Sequence, residues 1–280
     1  MGLRSHPQPA PDIQIIPDDV ILFPGRFSKL ADIYIAGRPT YPRLLARRVA
    51  DLVGLDGSQD VLDLGTGPGF LARDFRPCAR SGTGIDPEPE MLRVAAAESE
   101  RAGVDITFLR GSSNTLSPSL GTFRLVTIGR AFHWMDRRAT LRSLDGLIDA
   151  LGAVALFQES YPNVPENEWY TTFDAIVDRY ATHDPAKEQT ATAKTHEAVL
   201  LHSAFSHLER VSVLEVRQTP VDRIVDRALS FARSWYSEGG PRPDALAKEV
   251  RAGIAPFARE GAIEEVLEGT ALIARRPSAI

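Results

Sequence analysis

The chain has 280 residues, 43% hydrophobic and 25% charged, ordinary proportions for a globular protein able to bury a sizeable core. A net charge of −5 offers no basic excess for a nucleic-acid surface, and the single cysteine, Cys78, excludes an intramolecular disulfide framework. No run approaches the ~18 apolar residues of a membrane span, and residues 1–11 lack the apolar stretch of a secretory signal, so a cytoplasmic protein is expected.

Residues 1–26 carry Pro7, Pro9, Pro11, Pro17 and Pro24, too many for a helix interior, and predict an extended or disordered arm. A helical pattern over 27–35 breaks at Gly37-Arg38-Pro39, and Pro42 opens a second helix over 43–52. Strand and helix patterns then alternate. Strands are predicted at 60–64, 82–85, 106–110, 125–128 and 153–157, with helices at 70–79, 88–102 and 137–150 and a loop over 112–121. These strands are short continuous apolar runs, as parallel strands covered on both faces should be. The alternation predicts an α/β fold with a doubly wound, mostly parallel, Rossmann-like sheet.

After Glu159 the rhythm changes. Residues 160–208 predict a helical insertion, with helices at 169–180 and 191–203. A strand at 208–217, helices at 221–237 and 243–259, and a strand at 262–274 bring the sheet to seven strands. The expected organisation is an arm (1–26), a ligand-binding core (27–159), the insertion as a lid over a substrate (160–208), and a completing segment with cap helices (209–280).

The stretch from Asp63 to Phe70 organises the rest. An apolar strand ends in glycines at alternate positions, Gly65, Gly67 and Gly69, followed by a helix. Glycines let backbone turn sharply and approach a ligand, and a helix start presents amide groups and a positive dipole end. A dinucleotide fingerprint needs glycine at its first, third and sixth positions, and the sixth here is Phe70. Asp63, two places before the loop, disfavours a pyrophosphate and suits a cationic ligand. Asp63-Leu64-Gly65-Thr66-Gly67-Pro68-Gly69 resembles the first motif of class I S-adenosylmethionine-dependent methyltransferases.

In an open α/β sheet the ligand crevice lies at the carboxyl ends of the strands. Asp86, followed by Pro87, ends the second strand, where a carboxylate can accept both hydroxyls of a ribose. Gly111-Ser112-Ser113 follows the third, where the adenine would lie. The family often has an acidic residue at the position of Ser112, so here the backbone is the expected contact. After the fourth strand, Gly129-Arg130-Ala131-Phe132-His133-Trp134 resembles the corresponding segment of the methyltransferase type 11 group. Arg130 stands where that group commonly has a small polar residue facing the cofactor, and it is expected to point at the substrate or at the cofactor's carboxylate. Upstream, Tyr34 and the run Arg38-Pro39-Thr40-Tyr41-Pro42 match a further motif of the group. The resemblance implies that Tyr34 and Arg38 close over the cofactor, with the arginine near its methionyl carboxylate.

What the resemblance implies is S-adenosyl-L-methionine as cofactor and a small organic molecule as methyl acceptor, with nucleic acid an unlikely partner. Asp63, Gly65, Thr66, Gly67, Gly69, Asp86, Pro87, Ser112, Ser113, Gly129, Arg130 and Phe132, with Tyr34 and Arg38, are the expected cofactor residues. Aromatic faces stabilise a sulfonium, and Tyr34, Phe70, Phe132 and Trp134 are candidates, with core packing an equal reading for the last three. His133 and Glu159 are the candidate general bases, and a structural role competes for His133. Tyr161, Trp169, Tyr170, Phe173 and Tyr180 are core of the insertion or a lid over an apolar acceptor, with Trp235 and Tyr236 beside it. No cluster has metal-ligand spacing. The competing readings are a cofactor-binding catalyst that transfers no methyl group, an NAD(P)-dependent oxidoreductase, and, less so, a tRNA methyltransferase.

Overall fold

The computed structural model describes residues 31–180, 195–231 and 243–277. The predicted arm therefore lies outside the described residues, as do Trp235 and Tyr236. The centre is a seven-stranded sheet in the order β3-β2-β1-β4-β5-β7-β6. Its strands are β1 (Asp60–Leu64), β2 (Ser81–Asp86), β3 (Thr107–Arg110), β4 (Phe123–Gly129), β5 (Ile148–Ser160), β6 (His207–Pro220) and β7 (Ala262–Arg275). β1 to β5 pair in parallel, and β7 runs antiparallel between β5 and β6. β1 pairs with both β2 and β4, so the winding reverses there, and the glycine loop leaves the sheet at that switch point.

Both faces are covered at the central strands β1, β4 and β5, which is why those read as unbroken apolar runs. On one face α2 (Arg43–Val53) and α3 (Phe70–Phe75) pack Leu45, Val49, Leu71 and Phe75 against Val61, Leu125 and Phe157. On the other, α5 (Arg137–Asp145) sets Leu141 and Leu144 against Leu62, Val126 and Val154. Burying such leucines and phenylalanines contributes about 1.5–3 kcal/mol each. α4 (Pro89–Arg101) carries Met91 and Val94 against Ala31 of α1 (Ala31–Gly37). Pro42 precedes the first turn of α2, and Gly54 ends that helix in the left-handed conformation with its amide on the last carbonyls.

The later helices gather into a cap. α6 (Glu168–Tyr180), α8 (Val221–Ser230) and α9 (Pro243–Ile254) share a core of Trp169, Phe173, Ile224, Leu246 and Val250, closed from below by Ile263 of β7. Residues predicted as an insertion and residues predicted to complete the sheet thus share one core. α1 leans on this cap: a Cβ at Gly37 would stand 2.3 Å from the backbone of Asp226, so only glycine permits the approach.

Several boundaries differ from the sequence expectation. Helix 70–79 is α3 followed by a 3-10 turn, Arg76–Cys78, because Pro77 has no amide to continue the ladder. Helix 137–150 stops at Asp145, and β5 begins at Ile148. There Arg276 donates to the carbonyls of Asp145 (2.6 Å) and Asp149 (2.9 Å), while Arg124 pairs with Asp149 (2.8 Å). The loop 112–121 contains two 3-10 turns. Helix 191–203 is described only as α7 (His196–Leu200), capped by the Thr195 hydroxyl, and residues 191–194 are outside the description. Helix 221–237 ends at Ser230, since Phe231 is extended, and helix 243–259 at Ile254, with Pro256 in the 3-10 turn beyond. β6 is longer than predicted because β7 pairs along its whole length.

Candidate functional site

The loop after β1 is held by its own hydrogen bonds. The amides of Gly65 and Thr66 both donate to the carbonyl of Ile85, tying the turn to β2 (2.8 and 3.0 Å). Gly65 has φ 70°, and a Cβ there would stand 2.6 Å from the Cβ of Ala131. Gly67 has φ 53°, yet a Cβ there would meet nothing within 4 Å, so its position faces open space. Asp63 is buried, accepting from the hydroxyls of Thr66 (2.6 Å) and Thr127 (2.7 Å) and from the amide of Ala72 (3.2 Å). One carboxylate thus joins the loop, β4 and the first turn of α3. Burial pushes its pKa up, and these three bonds oppose the shift.

Asp86 ends β2 beside the loop. It accepts from the amides of Gly67 (2.8 Å) and Glu88 (2.9 Å). Burial pushes its carboxyl up to about 6, against the pull of those two bonds. Half-buried Pro87 follows, its carbonyl accepting from Arg110 (3.4 Å). Ser112 caps the next turn: its hydroxyl accepts from the amide of Asn114 (3.2 Å), and its own amide donates to the Thr115 hydroxyl (2.9 Å). The Ser112 amide, expected to face a base, is therefore engaged within the turn, as is its hydroxyl, and Ser113 beside it is buried.

A narrow cleft of about 30 Å³ opens above the loop, room for about one water. It is lined by Asp63, Gly65, Thr66 and Gly67 together with Tyr34, Tyr41, Phe70, Gly129 and Arg130. Tyr41 lies so close over Gly129 that a Cβ there would come within 2.9 Å of the phenol oxygen. Arg130 adopts φ 56°, a left-handed conformation costly for any residue but glycine. Its guanidinium stands 4.9 Å from the ring centre of Tyr41, 5.6 Å from Phe70 and 5.8 Å from Tyr34. It donates to the carbonyl of Pro39 (3.2 Å) and to Glu159 (3.0 Å). Burial opposes its charge, but Glu159 and the two tyrosines overcome that and hold its pKa above the usual value.

Glu159, near the end of β5, also pairs with Arg38 at 3.7 Å. Arg38 lies 4.2 Å from the ring centre of Phe231 and 5.3 Å from that of Tyr34. Burial pushes its pKa down, and Tyr34 and Glu159 oppose the shift. Behind it Tyr161 stacks on Tyr170 (4.4 Å) and meets Trp169 edge-on (5.7 Å), and burial pushes its phenol far up, so it is a neutral donor. Arg227 and Glu265, both buried, form a two-bond ion pair beneath these rings (2.8 and 3.0 Å).

The structure thus brings Tyr34, Asp63, Gly65, Thr66, Gly67, Gly129 and Arg130 to one cleft, with Asp86 bonded to its loop, Gly69 starting α3, and Arg38 and Glu159 beyond Arg130. His133 and Phe132 are not on its lining. The His133 ring lies 4.5 Å from Trp134, while Phe132 is in the core, edge-on to His196 (5.2 Å). Tyr41, Pro68, Leu71 and Phe231 were not among the expected site residues. Tyr41 was visible in the run Arg38–Pro42, whereas nothing near Phe231 marked it. Among the described residues no group of three or more His, Cys, Asp or Glu side chains could hold a metal ion, and no helix is long and apolar enough to cross a membrane.

Residues 61–153 match the family model of a methyltransferase domain. The chain is 26% identical over 125 residues to the uncharacterized methyltransferase YcgJ of Bacillus subtilis, covering 44% of this chain and 46% of that one. It is 32% identical over 124 residues to the demethylmenaquinone methyltransferase of Lactococcus lactis, covering 42% and 48%. The chain thus spans about half the length of these two relatives. In fold it is similar to a SAM-dependent methyltransferase from Thiobacillus denitrificans solved in complex with S-adenosyl-L-homocysteine, at TM-score 0.50 and 19% identity over 91% of this chain and 99% of that one. The solved structure of YcgJ also has TM-score 0.50, at 18% identity over 85% and 100%.

Proposed function

We propose, from the premise that residues 61–153 carry a class I methyltransferase domain, that the chain transfers a methyl group from S-adenosyl-L-methionine to a small organic acceptor. The observation that supports this most is the bond between the Asp86 carboxylate and the amide of Gly67, which sets an anionic acceptor beside an open glycine turn. The donor set fits the cofactor. Asp86 would take the ribose hydroxyls, Gly65 to Gly67 would lie against the nucleoside, and Tyr34, Tyr41 and Phe70 would present ring faces to the sulfonium. Arg130 would meet the carboxylate.

When bound, the cofactor supplies an activated methyl group and leaves as the neutral thioether. The chain's task is to hold an acceptor atom in line with the methyl, and such positioning can supply ~7–11 kcal/mol. Arg130 and Arg38 hold the Glu159 carboxylate between them, which makes it a means of orienting the two cations and leaves one oxygen for an acceptor hydrogen. His133, outside the cleft lining, acts by supporting the turn after β4. α6 would contribute to a lid over the acceptor.

Calorimetry tests this reading. Wild type is expected to bind S-adenosylhomocysteine, and Asp86→Ala to weaken that binding by about 100-fold, equivalent to two charge-assisted hydrogen bonds. No heat with wild type would remove the cofactor assignment, and unchanged affinity in the variant would remove that of Asp86.

A further inference from the structure

Six buried side-chain atoms among the described residues have no hydrogen-bond partner, and four stand in one place: Arg38 Nε, Glu159 Oε2, Tyr161 Oη and Trp169 Nε1. Native proteins leave few such atoms, because each forfeits its hydration without compensation. Three of the four are donors and one is a carboxyl oxygen that accepts. The group is continuous: Arg38 pairs with Glu159 at 3.7 Å, Tyr161 acts electrostatically on Arg38, and Trp169 meets Tyr161 edge-on at 5.7 Å.

The charges are also unequal. Among the described residues Arg38 and Arg130 share Glu159 as their carboxylate, and Arg227 is already matched by Glu265, so one positive charge of this group is left over. The two shared cations face different ways. Arg130 is on the lining of the cleft above the glycine loop, over the rings of Tyr41 and Phe70. Arg38 is absent from that lining and lies 4.2 Å from the ring centre of Phe231, on the cap side. One cation therefore serves the cofactor cleft, and the other stands among unused donors away from it.

We propose that the methyl acceptor carries a carboxylate with a hydroxyl or amine hydrogen next to it, and that Arg38, Tyr161 and Glu159 recognise this pair of groups. The carboxylate takes the hydrogens of Arg38 Nε and Tyr161 Oη and balances the surplus charge. The neighbouring hydroxyl or amine donates to Glu159 Oε2. A neutral amide offers one acceptor oxygen and no charge, so it is discriminated against. Trp169 supplies a further donor at the edge. This proposal rests on the methyltransferase reading and narrows it to one substrate class.

The test uses the full chain saturated with S-adenosylhomocysteine, titrated calorimetrically with lactate and mandelate and with their primary amides. Failure of wild type to bind S-adenosylhomocysteine strikes the methyltransferase reading itself. Given that binding, at least one hydroxy acid is expected to bind at least tenfold more tightly than its amide. Tyr161→Phe, which keeps the ring, is expected to lower hydroxy-acid affinity about tenfold while S-adenosylhomocysteine affinity stays within twofold. Arg38→Met is expected to abolish the preference for acid over amide. Binding of neither acid, equal binding of acid and amide, or an unaffected Tyr161→Phe protein would overturn the proposal. So would loss of S-adenosylhomocysteine binding in Arg38→Met with hydroxy-acid binding intact, because the surplus charge would then belong to the cofactor's carboxylate.

Discussion

The glycine loop and the polar cluster around Arg38 and Tyr161 are built on opposite plans. Around the glycine loop the polar atoms are spoken for: Asp63 accepts three bonds, Asp86 two, and the amides of Gly65 and Thr66 share one carbonyl. Around Arg38 and Tyr161, charged and polar atoms are buried yet partly unused. The first side is backbone held in shape by short local bonds, and suits a ligand that many proteins share. The second is long side chains from the segment after α1, the end of β5 and the start of α6, and suits a ligand particular to this chain.

The largest test of that division removes support from one side alone. Leu246, 1% exposed in the cap core, is expected on change to alanine to cost about 3 kcal/mol of unfolding free energy in urea, with S-adenosylhomocysteine affinity nearly unchanged. A parallel fall in affinity would merge the two sides into one unit. The next effect is on pH. Ribose hydroxyls bind the ionised carboxylate, and burial pushes the Asp86 carboxyl up to about 6. Affinity for S-adenosylhomocysteine should therefore be flat above that pH and fall below it, by up to about tenfold per unit. A calorimetric profile flat down to pH 5 would show another group holding the ribose.

The smallest effect concerns α3. Asp74 is raised to about 6, mainly by burial, and its Oδ2 has no partner. A carboxylate raised in the folded state favours folding only below its unfolded pKa, and that contribution is lost as pH rises through about 6. Asp74→Asn should therefore raise the melting temperature by a few degrees at pH 8 and by less at pH 5. An equal gain at both pH values would remove titration as the cause.

Much of this was visible in the residues. The apolar run ending in glycine marked β1, Asp60–Leu64, residue for residue, and Pro42 marked the start of α2. The place of Asp86 was legible because it ends the strand that pairs with β1, beside the glycine loop. What was hidden depends on register and on distant partners. Arg130 reaches Glu159 because Gly129 pairs with Phe157 across β4 and β5, which puts both residues at neighbouring strand ends. Its left-handed backbone, which aims the side chain, has no signature in an arginine. The end of α5 was misjudged because it is set by Arg276, in the last described stretch of the chain. Phe132 was legible in its motif, but a ring facing a ligand and a ring in the core look alike in sequence.

The place of β7 has a consequence for the order in which the molecule can be made. β7 follows every other strand in the chain, yet it lies between β5 and β6 and is the strand that joins them. During synthesis, β1 to β5 can pair as each emerges, whereas β6 has no neighbour until the chain has grown past residue 262. The side with the unused polar atoms is then completed last, and a chain stopped short of β7 loses the berth of β6 as well as its own final strand.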